Sequence, residues 1–483
     1  MIEDLRCQDI ASGDALHRSL GELPIIARRR SEFRLSSLVV ALMSPFLVLR
    51  AQYVQRILFA TIILDIPFQF GTTLFHRPAD AELGALRGLS ISATTLALAG
   101  LYTCWFIEAL TKRNANQHNS PHINRPLTLY LVFVILSLFV ARDVGLSLFE
   151  VFLFLQLYLV YVYVANMVRT REDVLFVASL LLIGGLLESL TIIGLRFSNM
   201  ESTVLGPAHI YIESDARTGL TRVGGTMGPN IAGAYLSVLL AFASSVLFTN
   251  LGRGRKWLAL AVLALGQVAI VLTFSRGAWI ALMLAVSLLC LVMWRRGGFS
   301  LKAPIAIFPI LLLLYVPFHD SISNRVFGDD HGAAESRIPL MNLAFRIIAD
   351  NPILGVGSNN FSVAMDSYLT SEFRDGRTFL FVVHNKYLLV WAETGILGLM
   401  AFLAFLLSAL RKGWQCWKFQ DHLLSPLALG LVAGIAGHMV HMTADHFRSR
   451  PTQQLLWFVA GLLVAMHRIC SSAPSMDSCS TIT

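Results

Sequence analysis

Charge is scarce in this chain: Asp, Glu, Lys and Arg make up 14% of its 483 residues, against 55% hydrophobic, and mean hydropathy is +0.64. That ratio argues against a soluble globular domain and puts most of the chain in a membrane. Cysteine is scarce as well. The six are Cys7, Cys104, Cys290, Cys416, Cys470 and Cys479. None falls in an outward loop on the topology given below, which argues against a disulfide framework or a thiolate metal site. The start, MIEDLRCQDIASGD, lacks the basic flank and apolar core of a signal peptide, so insertion is expected to rely on uncleaved helices. Internal repeats and low-complexity tracts are missing too. The net charge of +8 does not point to nucleic acid, because Lys and Arg cluster in short breaks between apolar runs. That is the positive-inside pattern of a multi-pass protein.

What is present is a long series of apolar runs. Residues 1–56 read as an inward-facing polar segment, ending in Arg28-Arg29-Arg30 and Arg34, followed by an interfacial stretch. The run Ser36 to Leu49 is shorter than the ~20 residues a bilayer core demands, and Pro45 interrupts it. Spans are expected at 57–75, 89–110, 127–140, 146–168, 174–195, 229–249, 257–274, 277–294, 303–318, 386–410, 425–441 and 453–470. The loops this count turns inward are nearly all basic, and a further span at Ser36 to Leu49 would flip them. The fold class expected is therefore an all-α polytopic membrane protein with about twelve helices. Residues 57–221 form its first membrane region, 222–470 its second, and the Ser/Thr-rich end 471–483 an inward disordered tail. Two outward loops are long, 196–228 and 319–385. The larger predicts an amphipathic helix from Ser336 through Ile338, Met341, Ala344, Phe345 and Ile348, stopped at Asn351-Pro352, and a second short helix near Phe361 to Leu369. Such helices would lie flat and roof a cavity.

Residues able to do chemistry collect at the outward helix ends. His384-Asn385 close the long loop just where an apolar helix begins, and an imidazole is the side chain suited to taking a proton near neutral pH. Asn385 would orient it; the alternative is an ordinary helix cap. Arg276, in Phe274-Ser275-Arg276-Gly277, sits at a hairpin between two spans and either snorkels there or holds a phosphate with its planar fork of donors. Arg222 precedes Gly224-Gly225-Thr226-Met227-Gly228-Pro229-Asn230, where Asn230 would cap the next helix. Two such arginines at neighbouring helix starts would clamp a dianion. His438, His441 and Asp445 share the spacing of one helical face, but this is no recognised ligand motif, so no metal is expected. Asp445 reads equally as a partner of His384 or Arg276, with Arg448 close by. Asp329-Asp330-His331 and Glu213-Ser214-Asp215 are expected to decorate solvated loops.

From about Arg222 to Gly461, half the chain, the sequence resembles the O-antigen ligase and Wzy-type polymerase superfamily. The carrying motifs are His384-Asn385 with Gly395 and Gly398, in the pattern H-N-x9-G-x-x-G; Arg222 with its Gly-Thr-x-Gly-x-Asn stretch; Ser275-Arg276-Gly277; and Asp350-Asn351-Pro352-Ile353-Leu354-Gly355-Val356-Gly357 with Phe361. The resemblance implies a GT-C-like fold in the bacterial inner membrane, with cytoplasmic termini and a periplasmic active site beneath loop 319–385. It implies a metal-independent, inverting glycosyltransferase without cofactors. The partners it implies are an undecaprenyl-diphosphate-linked glycan as donor, lipid A core or a growing polysaccharide as acceptor, and membrane lipids. By carry-over, Arg222 and Arg276 bind the diphosphate, His384 activates the acceptor hydroxyl, and Asp445 is its acidic partner. A polymerase of O-antigen or exopolysaccharide is the near alternative. A flippase for lipid-linked glycans is the alternative of another class, for which Asp65 and Glu188 supply the mid-span acids.

Overall fold

The computed structural model describes residues 52–111, 122–198, 203–205, 208–214, 221–297, 337–370 and 380–472, together with 323 and 373. The expected interfacial stretch Ser36 to Leu49, the span at 303–318, the Ser336 cap, the Asp329-Asp330-His331 cluster and most of the tail lie outside these residues.

Helix α1 covers 52–68. The others are α2 (Pro78–Glu82), α3 (Ala93–Thr111), α4 (Arg125–Leu136), α5 (Val144–Met167), α6 (Arg171–Phe197), α7 (Pro229–Val246), α8 (Arg253–Leu272), α9 (Arg276–Arg295), α10 (Arg337–Asp350), α11 (Phe361–Ala364), α12 (Lys386–Lys418), α13 (Leu424–His441) and α14 (Arg450–Ser472). Among the described residues, nine helices are long and apolar enough to cross a membrane: α3, α5 to α9 and α12 to α14. The local signals are ordinary ones. Thr170 and Asp173 form a reciprocal capping box that starts α6, and Asp143 caps α5 by accepting from the Leu146 amide.

The sequence-based spans need correction at three places. The run 57–75 does not stay helical; α1 stops at residue 68, and Gly71–Leu74 forms strand β1. Strand β1 pairs antiparallel with β2 (Leu89–Ser92), so the next helix begins at Ala93 rather than 89. The run 127–140 is a short helix, α4, continued by a 3-10 turn at Ser137–Val140, and falls short of a full span. The fold is also not purely helical. The loop after α6 carries a three-stranded antiparallel sheet of β3 (Thr203–Leu205), β4 (Ala208–Ser214) and β5 (Thr221–Gly225).

Helices α7 and α13 form the centre, with 83% of each span buried, whereas α3 is 22% buried and lies at the rim. Around that centre α9 packs on α7 and α13, α14 on α5, α6 on α8, and α12 on α4. One end of this bundle collects the starts of α7, α9, α12 and α14 and the ends of α8 and α13. A second apolar cluster covers this end. There Leu340, Leu343 and Ile347 of α10 meet Phe361, Met365, Val382, Val383 and Leu389. Helix α10 buries Ala344 and Ile348 of the expected stripe, but the buried face is rotated toward Leu340, Leu343 and Ile347, and Ile338 and Phe345 remain exposed.

The loop between α10 and α11 is built into α12. Gly395 has φ 70 and ψ −176, which breaks that helix. Its orphaned backbone groups are taken by residues 352–357: the Val356 and Gly357 amides donate to the Ala392 and Glu393 carbonyls at 2.9 and 3.0 Å, and the Ile396 amide donates to Pro352 O at 2.9 Å. Irregular backbone at this depth is tolerated because protein, not lipid, satisfies it.

Candidate functional site

Helix α12 begins by clamping the loop between α13 and α14. Asn385 Oδ1 accepts from the Tyr387 and Leu388 amides, its Nδ2 donates to Thr443 O at 3.2 Å, and the Lys386 amide donates to Met442 O at 2.9 Å. Asn385 is therefore the helix cap and the tie to the neighbouring loop. This tie sets His384 beside Asp445, with Nδ1 3.7 Å from Oδ1, and Phe381 stacks on the imidazole at 5.3 Å.

Asp445 is buried and faces several partners. Asn230 Nδ2 donates to its Oδ2 at 2.8 Å, and the His446 amide donates to Oδ1 at 2.7 Å. Burial alone would raise its pKa, but the surrounding His384, His446 and His441 imidazoles hold it well below the ordinary carboxylate range. Burial pushes His446 down to about 4, so its ring is neutral at pH 7.

His384, Asp445 and His446 bring three ligand-type atoms within 4.8 Å of one another, the one such group among the described residues. The hydrogen bonding argues against a metal there. His446 Nδ1 accepts from the Arg448 amide at 3.2 Å, which places the proton of the neutral ring on Nε2. That Nε2 faces Asp445 Oδ1 at 3.8 Å as a donor and offers no lone pair to a cation. The face expected from His438, His441 and Asp445 does not form, because α13 ends at His441 and the chain turns before Asp445. His438 and His441 instead pack their rings against Phe447.

From Asp445 the polar chain continues to Arg222. Asn230 lies in the first turn of α7, which Gly228 caps, and bridges rather than caps: its Oδ1 accepts from Arg222 Nη2 at 2.6 Å. Arg222 Nε donates to Thr273 O at 3.1 Å, and Nη1 meets Glu213 Oε2 at 3.1 Å. Glu213 is thus no mere loop decoration; β4 and β5 pair it directly opposite Arg222. The Thr273 carbonyl belongs to the turn, with Phe274 at φ 48, that reverses α8 into α9, where Arg276 is the first residue. Burial lowers the Arg222 pKa; Glu213 and Asp445 oppose that shift, while the charges of Arg337 and Arg276 add to it. Arg337, which heads α10, was not singled out from sequence. The available signal was a third arginine at the start of a helix on this face.

Residues 258–403 match the family model described as O-antigen ligase. The chain carries an O-antigen ligase domain. No curated protein matches the chain. The matched segment holds Arg276, Arg337, His384 and Gly395, whereas Arg222, Asn230 and Asp445 come from outside it. Of the polar chain, His384 lies in this ligase domain, and Arg222, Asn230 and Asp445 are supplied by flanking elements.

Buried charge ties those flanks to the O-antigen ligase domain and to one another. Arg448, three residues past Asp445, pairs with Glu393 at the break in α12, lies 3.9 Å from Glu150 of α5, and donates to Asn359 Oδ1 at 2.8 Å. Asn359 in turn donates to Leu146 O at 2.9 Å. Glu188 accepts from the Thr226 amide and hydroxyl at 3.0 and 2.7 Å, fixing the turn between β5 and α7. Gly225 in that turn has φ 68, and a Cβ there would sit 2.3 Å from Glu188 Oε1. Asp65 accepts from the Thr94 amide and hydroxyl and from Arg450. Glu188 in α6 and Asp65, which lies in the last turn of α1 rather than mid-span, thus serve as internal clamps.

Proposed function

We propose that this protein is a membrane glycosyltransferase that moves a glycan from a polyprenyl-diphosphate carrier to an acceptor hydroxyl, in cell-surface polysaccharide biosynthesis. The observation that carries this reading is the continuous chain Arg222, Asn230, Asp445 and His384, which joins a cationic end to an imidazole at one end of the bundle. The carrier would be undecaprenyl diphosphate, and the site would face the periplasm from the inner membrane.

In the proposed step, His384 takes the proton of the acceptor hydroxyl as its oxygen attacks the anomeric carbon. The bond from that carbon to the diphosphate oxygen breaks with inversion, and the leaving diphosphate carries away the electron pair. Arg222 and Arg276, with Arg337 adding its field, stabilise the growing negative charge without any reorganisation. Asp445 holds the imidazole and stabilises the imidazolium once it forms. The protonated His446 Nε2 supports a reading in which no metal is involved.

Purified protein with a polyprenyl-diphosphate glycan, in EDTA, tests this with and without lipid A core. Product that needs lipid A core identifies a ligase, and lengthened carrier-linked chains without it identify a polymerase. The absence of both, with metal restored, overturns the transferase reading.

A further inference from the structure

Three of the Arg222 contacts differ in kind. Its Nε and Nη2 are held by Thr273 O and Asn230 Oδ1, neutral acceptors on α7 and on the α8–α9 turn, and these set the plane of the guanidinium. Its Nη1 is held by a carboxylate. Glu213 stands opposite Arg222 in the β4–β5 register, so the two side chains leave the sheet on the same face. The Arg222 side chain is 16% exposed and that of Glu213 54%. The anchored partner is therefore the arginine, and the carboxylate approaches it from the solvent side.

We infer that Glu213 is a displaceable anion: it occupies the outward edge of Arg222 while no donor is bound and is driven off by the incoming diphosphate. This rests on the proposed reading of Arg222 as a diphosphate ligand.

Charge balance supports the exchange. Among the described groups acting on Arg222, the guanidiniums of Arg276 and Arg337 add to its own charge, against the carboxylates of Glu213 and Asp445. Asp445 is enclosed and cannot leave. A dianionic diphosphate arriving beside both carboxylates would face an excess of negative charge, whereas departure of Glu213 restores near-neutrality. Glu213 has the solvent exposure needed to swing away, and water can solvate its carboxylate as the pair opens. Between turnovers it shields a partly buried cation from other anions; the same shielding weakens donor binding.

The test is Glu213→Gln beside Arg222→Lys, with donor concentration varied and inorganic pyrophosphate as a competing probe, at low and high salt. Glu213→Gln is expected to raise donor kcat/KM about two- to fivefold and to tighten pyrophosphate inhibition by a similar factor, as the removal of an exposed competing charge implies. The gain should shrink at high salt, where exposed charges are screened. A Glu213→Gln protein with unchanged or lower donor kcat/KM overturns the proposal and makes Glu213 a support for Arg222. Unchanged donor KM and pyrophosphate inhibition in Arg222→Lys instead withdraws the diphosphate reading of Arg222 itself. Melting temperatures in detergent identify any variant that has lost its fold.

Discussion

His384 and Asp445 form a pair whose geometry suits proton capture: an imidazole held by stacking on Phe381, and a buried carboxylate that stays charged. His384→Ala is expected to lower transfer by at least about 100-fold, the lower range of general-base effects, with melting unchanged. Asp445→Asn keeps the shape and removes the charge that steadies the imidazolium. It should cost less than His384→Ala, and the double variant should be no worse than His384→Ala alone; additive losses would show that the two residues act separately. His446 gives the site a pH signature. Its pKa is about 4 when folded, against an ordinary value of about 6.5. Between those values the unfolded chain binds a proton that the folded chain does not, so stability is full above about pH 6.5 and declines as pH falls toward 4. Asp445, with a depressed pKa, acts in the same direction at lower pH; its contribution is present above about pH 3.9 and is lost as pH falls through its folded value. Melting of His446→Gln between pH 7 and 4 should therefore fall less than that of the parent chain.

Helix α12 is the element on which the site depends, and its break is as important as its length. Gly395 adopts a backbone conformation essentially reserved for glycine, and a Cβ there would lie 1.9 Å from Ile353 O. Gly395→Ala is expected to cost about 1–3 kcal/mol from backbone conformation alone, before the clash. The loop 352–357 would lose its docking, Glu393 would move relative to Arg448, and transfer would fall together with melting temperature. Gly194→Ala in α6, where a Cβ meets nothing within 4 Å, is the control and should be neutral or slightly stabilising. The Asp350–Gly357 motif and the stretch from His384 to Gly398 thus meet in space: Gly355, at φ 69, comes within 2.4 Å of the Glu393 carbonyl carbon if given a Cβ. These glycines build the scaffold rather than touch substrate.

At the scale of the whole molecule, buried charges link elements far apart in sequence. Arg448 ties the loop carrying Asp445 to Glu393 of α12 and Glu150 of α5, with the buried Lys386 also acting on these carboxylates. Removing one partner of such a set strands the others. Arg448→Met should destabilise the fold by about 3–5 kcal/mol. Adding Glu393→Gln leaves Lys386 opposite Glu150, so the double variant should melt higher than Arg448→Met; equal or lower melting would show that the charges are not coupled.

Membrane embedding and superfamily were legible in the sequence, because hydropathy over twenty residues and ordered motifs around His384, Arg276 and Arg222 are local properties. Helix identity was less legible where runs were short. The segment Gly71–Leu74 follows an apolar run directly but gains its hydrogen bonds from Leu89–Ser92, which no local pattern reveals. The strands after α6 were missed for the same reason. The sequence also named several members of the candidate site without their connections. That Asn230 bridges Arg222 to Asp445, that Glu213 faces Arg222, that Asn385 caps while His384 stands free of the helix, and that Arg337 joins the cationic group depend on which helix ends meet. Those meetings are decided by packing around α7 and α13 and by the break at Gly395, and they bring together residues more than two hundred positions apart, such as Asn230 and Asp445.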